Sequence, residues 1–211
     1  MAISKTLDKP VIDSVVRNIP FVDLKKQYQP LKESILQGFS NVLDGMHLFL
    51  GENVQAFENE FARICEVEHG IGVSDGTSAI HLILRAMDVG PGDEVITVSH
   101  TFMATVEAIV LSGATPVFVD IDPDTCLMDT TQVEQKITAR TKALLPVHLY
   151  GQTVDMDPLM EIAEKYHLWV IEDACQAHGA EYHEQAAGSL SDAAAFSFYF
   201  SKNLGGYGEG G

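Results

Sequence analysis

The stretch GDEVITVSHTFMATVEAIVLSGATPVFVD, residues 92–120, reads as strand, helix, strand. Gly92-Asp93 ends a turn and Glu94 to Val98 is a short apolar strand. Ala104 to Leu111 fits a helix. Pro116 to Val119 is a second strand, closed by the turn Asp120-Ile121-Asp122-Pro123-Asp124. The same alternation continues in both directions. Upstream, Ile71-Gly72-Val73 reads as a strand, and Ser74-Asp75-Gly76-Thr77 turns into a helix carrying Ile80, Leu82, Ile83, Leu84 and Met87. Downstream come a short helix from Val133 to Ile137, a strand from Ala143 to Val147, a helix from Met156 to Tyr166, and strands from Leu168 to Ile171 and Ala193 to Phe198. Strands separated by helices predict an α/β fold, a three-layer α/β/α sandwich with a mostly parallel sheet covered on both faces. In such sheets ligands bind at the carboxyl ends of the strands.

Two further helices precede this core. Leu31, Ile35, Phe39, Val42 and Leu43 share one helical face, and Val54, Phe57, Phe61, Ile64 and Cys65 form the inner side of the next. Residues 1–18 show no strong period and read as a loose leader, which leaves 19–211 as one ordered domain. The chain stops within the glycine-rich segment Gly208-Glu209-Gly210-Gly211, which does not read as a natural C-terminus.

Composition narrows the function. With 46% hydrophobic and 20% charged residues the 211-residue chain reads as an ordinary soluble globular protein. The absence of an apolar signal core at the N-terminus argues for the cytoplasm. Thirty acidic against 13 basic residues give a net charge of -17, which repels nucleic acid and anionic membranes. A bound phosphate must then be held locally. Cys65, Cys126 and Cys175 lack CxxC spacing and are expected to be free thiols, and the eight histidines fit no metal-ligand pattern.

Three positions carry chemistry. At Ser74-Asp75-Gly76-Thr77, Gly76 permits close backbone approach and the helix start suits a phosphate, although Ser74 or Asp75 as a plain N-cap explains the same residues. Glu172-Asp173 follows an apolar run, so Asp173 is expected to point a carboxylate into the crevice. There it would keep a pyridine nitrogen protonated, or merely cap the next turn. Gln176 lies three residues on. In Phe196-Ser197-Phe198-Tyr199-Phe200-Ser201-Lys202, the aromatic run predicts an apolar setting that disfavours the ammonium and frees the Lys202 amine as a nucleophile. Ser197 is a further phosphate ligand. His148-Leu149-Tyr150-Gly151 is a fourth crevice element.

Together with Gly51 to Phe61, Thr101-Phe102, Pro146 to Gln152 and Glu172 to Ala180, these motifs resemble the DegT/DnrJ/EryC1/StrS family, sugar aminotransferases of pyridoxal-phosphate (PLP) fold type I, from about Ile19 to Gly211. The resemblance makes 19–211 the PLP-binding large domain. It implies that Lys202 forms the Schiff base and shuttles the proton, that Asp173 pairs the pyridinium nitrogen and that Gln176 bonds the phenolic oxygen. It further implies that Phe102 stacks on the ring and that Gly76, Thr77 and Ser197 hold the phosphate. The implied reaction moves an amino group, usually from glutamate, to a keto group of a nucleotide-linked sugar, in a homodimer. The resemblance also places a further strand and a small C-terminal domain beyond Gly211, with a partner-subunit phosphate contact and much of the sugar pocket there. Ser99-His100 stand where a proline is common, and Cys175 where alanine is usual. Two alternatives fit parts of the pattern: a sugar dehydratase of the same fold, which would lack the Schiff-base lysine, and a truncated, non-catalytic fragment that binds PLP weakly or only partners another subunit.

Overall fold

The structure, a computed structural model, describes residues 19–211. The leader expected over residues 1–18 lies outside the described residues. The chain forms two compact units, one ending at Phe49 and the other running from Leu50 to Gly211.

The first unit is built on helix α1, Leu24–Gly45. Asp23 caps it by accepting the Lys26 N–H at 3.1 Å, and Met46 ends it in a left-handed conformation (φ 51°). The helix is longer than its apolar stripe because it runs through Pro30, near its start. None of its side chains is buried.

In the second unit, α2 spans Glu52–Ile64 and α3 Gly76–Ala86. Strand β1, Glu94–Val98, is followed by α4, Met103–Leu111, and β2, Thr115–Val119. A short α5, Val133–Lys136, leads to β3, Thr141–Leu144. Then come α6, Met156–Tyr166, and β4, Trp169–Asp173. A two-residue hairpin, β5 (Glu181–Tyr182) and β6 (Gln185–Ala186), precedes β7, Ala193–Ala195. The central sheet is parallel throughout, in the order β2-β1-β3-β4-β7. The α/β class with a mostly parallel sheet is as the sequence predicts.

All five residues of β1 are buried, as a strand covered on both faces requires. Val95, Ile96, Leu144, Val170 and Ile171 are solvent-free, each contributing roughly 1.5–3 kcal/mol on burial. Pro116 sits in β2, at the sheet edge, where its missing N–H is tolerated. The chain passes from β1 outward to β2, then returns across β1 to β3. That reversal is a topological switch point, with a crevice at the carboxyl ends of β1 and β3.

Four expectations need correction. Residues 71–73 form no strand of the sheet. The Gly72 N–H is taken by the Glu58 carboxylate at 2.7 Å, and only Val73 makes a two-bond exchange with a neighbour, Gly211 (2.9 and 3.0 Å). The last strand stops at Ala195. Its carbonyl accepts from the Ala174 N–H, and by Phe198 the backbone has turned to bond Gly210. Strand β3 stops at Leu144, and Val147 rejoins only through a bridge to Asp173. On α2 the inner stripe runs through Phe61, Ala62 and Cys65. Ile64, one residue and about 100° from Cys65, is exposed, and so are Val54 and Phe57 nearer the helix start.

Candidate active site

Five loops leave the carboxyl side of the sheet or approach it, and they enclose a cleft of about 590 Å³. Gly76, Thr77, Phe102, Asp173, Gln176, Ser197 and Lys202 all line it, so every site residue expected from the sequence is in one place. They come from the start of α3, the loop after β1, the end of β4 and the segment after β7.

Asp173 is the last residue of β4, paired with Ala195 of β7. It is buried, and its own backbone is fixed by Asp173 N–H to Pro146 carbonyl at 2.9 Å and His148 N–H to Asp173 carbonyl at 3.0 Å. The Thr105 hydroxyl donates to Oδ2 at 2.6 Å and the Cys175 N–H to Oδ1 at 3.2 Å. Two oxygens with about four acceptor sites have spent two, so the carboxylate retains capacity toward the cleft.

Gln176 is oriented by a backbone donor. The Tyr150 N–H reaches Oε1 at 3.0 Å, which fixes the amide's rotation and leaves its NH₂ group as the donor available to a ligand. Tyr150 itself adopts a left-handed backbone (φ 60°, ψ 15°), at a cost of about 1–2 kcal/mol for a non-glycine residue. That conformation belongs to the short 3-10 turn Leu149–Gly151, which carries the donor to Gln176.

At α3 the plain cap is present: Asp75 accepts the Ser78 N–H at 2.7 Å. Burial pushes the Asp75 carboxyl up, but hydrogen bonds from the Ser78 N–H and the Ser74 and Ser78 hydroxyls outweigh it and hold the group below the usual carboxylate range. The cap coexists with an open helix start, because Asp75, Gly76 and Thr77 line the cleft. Gly76 has no room for a side chain: an added Cβ would lie 2.7 Å from Cys175 Sγ and 3.0 Å from Ser197 Cβ.

The Lys202 segment departs from its expected setting. Phe196 and Phe198 turn away from the cleft and pack edge-on against Phe61 of α2, with ring centroids at 4.9 and 5.0 Å. Ser197, Tyr199, Ser201 and Lys202 face the cleft instead. The phenylalanines therefore anchor the segment to α2 rather than shrouding the amine. Lys202 N–H bonds the Tyr199 carbonyl at 2.8 Å in a turn that presents the half-buried side chain. All three cysteines are free. Burial, aided by Glu172, pushes the Cys65 thiol up to about 11. Burial and then Asp173 push Cys175 far above its ordinary value, so neither is a nucleophile at neutral pH.

Some contributors were not expected from the sequence. Thr105 and Thr101 form a hydroxyl chain to Asp173 (Thr101–Thr105 2.7 Å). His148, which lines the cleft as its place in the sequence predicts, is joined at 3.0 Å to Glu172, both solvent-free, and that pairing was not expected. For Glu172 a signal existed, since a carboxylate inside an apolar strand needs buried donors. For Thr105 there was none beyond its place in the first turn of α4.

The chain is similar to known proteins in both sequence and fold. The family model described as "DegT/DnrJ/EryC1/StrS aminotransferase family" matches residues 29–211. A "Pleiotropic regulatory protein" of Geobacillus stearothermophilus is 48% identical, over 92% of this chain and 52% of its own length. The dTDP-3-amino-3,4,6-trideoxy-alpha-D-glucose transaminase of Streptomyces venezuelae is 48% identical, over 92% of this chain and 51% of its own. Among solved structures, S. venezuelae DesV in complex with a ketimine intermediate superposes with a TM-score of 0.89 at 48% identity, covering 91% of this chain and 52% of that one. A Bacillus subtilis protein with bound cofactor PMP superposes at 0.86 and 37% identity, covering 91% and 43%. The chain spans about half the length of the curated relatives it matches.

Proposed function

The chain belongs to the DegT/DnrJ/EryC1/StrS aminotransferase family, and from that premise we propose that its cleft binds pyridoxal phosphate and serves transfer of an amino group, from glutamate, to a keto group of a nucleotide-linked sugar. The observation that carries the reading is the convergence of Lys202, Asp173, Gln176 and Gly76 on one cleft. The residues fit the cofactor: a buried carboxylate with unused acceptor sites, an amide whose donor side is free, and a glycine with no room for a side chain, which lets the α3 start close in on Ser197 and Cys175 at the cleft wall. When bound, pyridoxal phosphate supplies an electron sink that stabilises negative charge at the substrate carbon.

The chain's own residues then have distinct tasks. Lys202 supplies the amine that holds the cofactor covalently and, once free, moves the proton between carbons. Asp173 balances the positive charge of a protonated ring nitrogen, and its burial strengthens that pairing. Gln176 donates to the ring oxygen, and Phe102, exposed at the cleft mouth, stacks on the ring face. Gly76, Thr77 and Ser197 take the phosphate at the α3 start, where the helix dipole is positive. That local arrangement supports phosphate binding in a chain of net charge -17.

The same proposal includes a cytoplasmic homodimer acting without nucleic acid or membrane partners, with 19–211 as its large domain. Exposed Leu31, Phe39 and Leu43 on α1 support a helix that meets a second surface. Among the described residues no helix is long and apolar enough to cross a membrane. The dehydratase reading is not favoured, since Lys202 lines the cleft and the S. venezuelae relative is named a transaminase.

Borohydride treatment with pyridoxal phosphate is expected to leave the phosphopyridoxyl mass on Lys202, and Lys202→Ala to abolish it. Label on another lysine, or none, sinks the cofactor assignment. Conversion of a nucleotide-linked keto sugar to its amine with glutamate tests the reaction itself. No amine from any such sugar, with label on Lys202 intact, would remove the substrate proposal and keep the cofactor.

A further inference from the structure

Asp173 carries the charge that the proposed cofactor needs, yet a carboxylate can rotate about its last bond. What holds it is a chain of hydroxyls arising from a different element. Thr105, in the first turn of α4, is solvent-free and donates to Asp173 Oδ2 at 2.6 Å across 68 residues of sequence. Its single proton is spent there, because an ionised carboxylate only accepts. The contact of 2.7 Å between Thr101 and Thr105 must therefore run from Thr101 as donor to Thr105 as acceptor. The chain has one polarity: Thr101 to Thr105 to Asp173. Thr101 lines the cleft and Thr105 does not.

We propose that Thr105 is a positioning residue for the cofactor: with the Cys175 N–H on the other oxygen, it locks the Asp173 carboxylate so that its unused lone pair stays aimed at the place of the ring nitrogen. This rests on the cofactor reading above. The two donors approach different oxygens from different elements, α4 and the turn after β4, and so leave no free rotation. Thr101 polarises Thr105 and strengthens its bond to the carboxylate. Thr105 touches neither cofactor nor substrate, and acts only through Asp173.

The test measures the pyridoxal phosphate concentration that gives half-maximal borohydride-trapped label on Lys202, in the full 211-residue chain. Thr105→Val removes the hydroxyl at nearly constant volume and is expected to raise that concentration about tenfold, the scale of a hydrogen bond to a charged group. Thr105→Ser restores the hydroxyl and should return it to within about twofold, while Thr101→Val, one link further out, should cost about two- to threefold. In an Asp173→Ala background Thr105→Val should change nothing, which a merely structural role would not produce. Should Thr105→Val fail to fold, Thr105→Ala carries the same comparison, with melting temperature in the absence of cofactor as the check. An unchanged half-point in Thr105→Val, or an equal loss in both backgrounds, overturns the proposal while the cofactor reading stands. If the wild-type chain takes no label on Lys202, the cofactor reading falls and this proposal with it.

Discussion

At the end of β4 two consecutive carboxylates face opposite sides of the sheet. Glu172 is solvent-free and saturated: Oε2 accepts from His148 Nε2 at 3.0 Å and Gly188 N–H at 2.7 Å, and Oε1 from Leu190 N–H and the Ser191 hydroxyl, both at 3.0 Å. His148 is equally complete. Its Nδ1 accepts the Val154 N–H at 3.1 Å, so the ring proton sits on Nε2 and points at Glu172. Asp173, one residue on, takes two hydrogen bonds among the described residues, from the Thr105 hydroxyl and the Cys175 N–H, and lines the cleft. Burial alone does not separate the two. Saturation does: a carboxylate whose lone pairs are all used holds the fold, and one with lone pairs to spare, facing a cavity, waits for a ligand.

The sharpest way to break that contrast is to truncate each in turn. Glu172→Ala leaves His148 and two backbone N–H groups without their shared acceptor, while the Ser191 hydroxyl keeps the Ala193 carbonyl at 3.1 Å, and should cost about 3–5 kcal/mol of stability in urea denaturation. Asp173→Asn keeps the shape and one acceptor, and should cost under about 1.5 kcal/mol. Equal losses would mean that saturation does not distinguish anchor from site. The complementary measurement is cofactor affinity. Asp173→Asn should weaken pyridoxal phosphate binding about tenfold to 150-fold, the equivalent of 1.5–3 kcal/mol for a charged hydrogen bond. A Glu172 variant that still folds, such as Glu172→Gln, should bind within about threefold of wild type, because Glu172 faces away from the cleft. Spectroscopic titration reads both.

A smaller effect tests whether the cleft wall is as closely fitted as the anchor. Gly76→Ala would press a methyl group against Cys175 Sγ and Ser197 Cβ, at an expected cost of about 1–3 kcal/mol and with a phosphate site pushed out of place. Cys175→Ala removes the nearer obstacle, so the double variant should recover part of the loss, read as the difference in melting temperature. If the two substitutions simply add, the contact at 2.7 Å does not limit the helix start.

These contrasts also show what the sequence could carry. Strand β1 and helix α6 have the limits their patterns predict, because each is bounded by turn residues and reads in its own window. The site positions were legible because Asp173, Gln176 and Lys202 follow strands in an open parallel sheet, and such ends converge by topology. What supports those positions was not legible. Thr105 lies 68 residues from Asp173 and His148 lies 24 from Glu172, and no local pattern encodes either pairing. The aromatic run before Lys202 misled for a related reason. Alternation in an extended segment sends Phe196 and Phe198 to one side and Ser197 and Tyr199 to the other, and only packing against α2 shows which side is the cleft.

His148 and His178 differ in the same way. Both ring nitrogens of His148 have partners, whereas neither nitrogen of His178 does. The His178 ring instead sits among Phe61, Phe196 and Phe198, with centroids at 6.3, 5.4 and 5.5 Å. Burial, and to a lesser degree the Lys202 charge, holds His178 below the ordinary imidazole value, while the Ser197 backbone pulls the other way without completing a hydrogen bond. In the unfolded chain the same ring takes its proton near pH 6.5. Between that pH and the lower folded value the unfolded state binds more protons, so stability must fall as the pH drops through this window and stay flat above it. The slope is limited to one proton, about 1.4 kcal/mol per pH unit. His178→Phe fills the same aromatic cage without a titrating group. Subtracting its urea-denaturation stability from that of wild type at each pH isolates the contribution, since the other histidines cancel. A wild-type minus variant difference that is level from pH 7.5 down to pH 5 would show that His178 is not the buried, partnerless ring its packing describes.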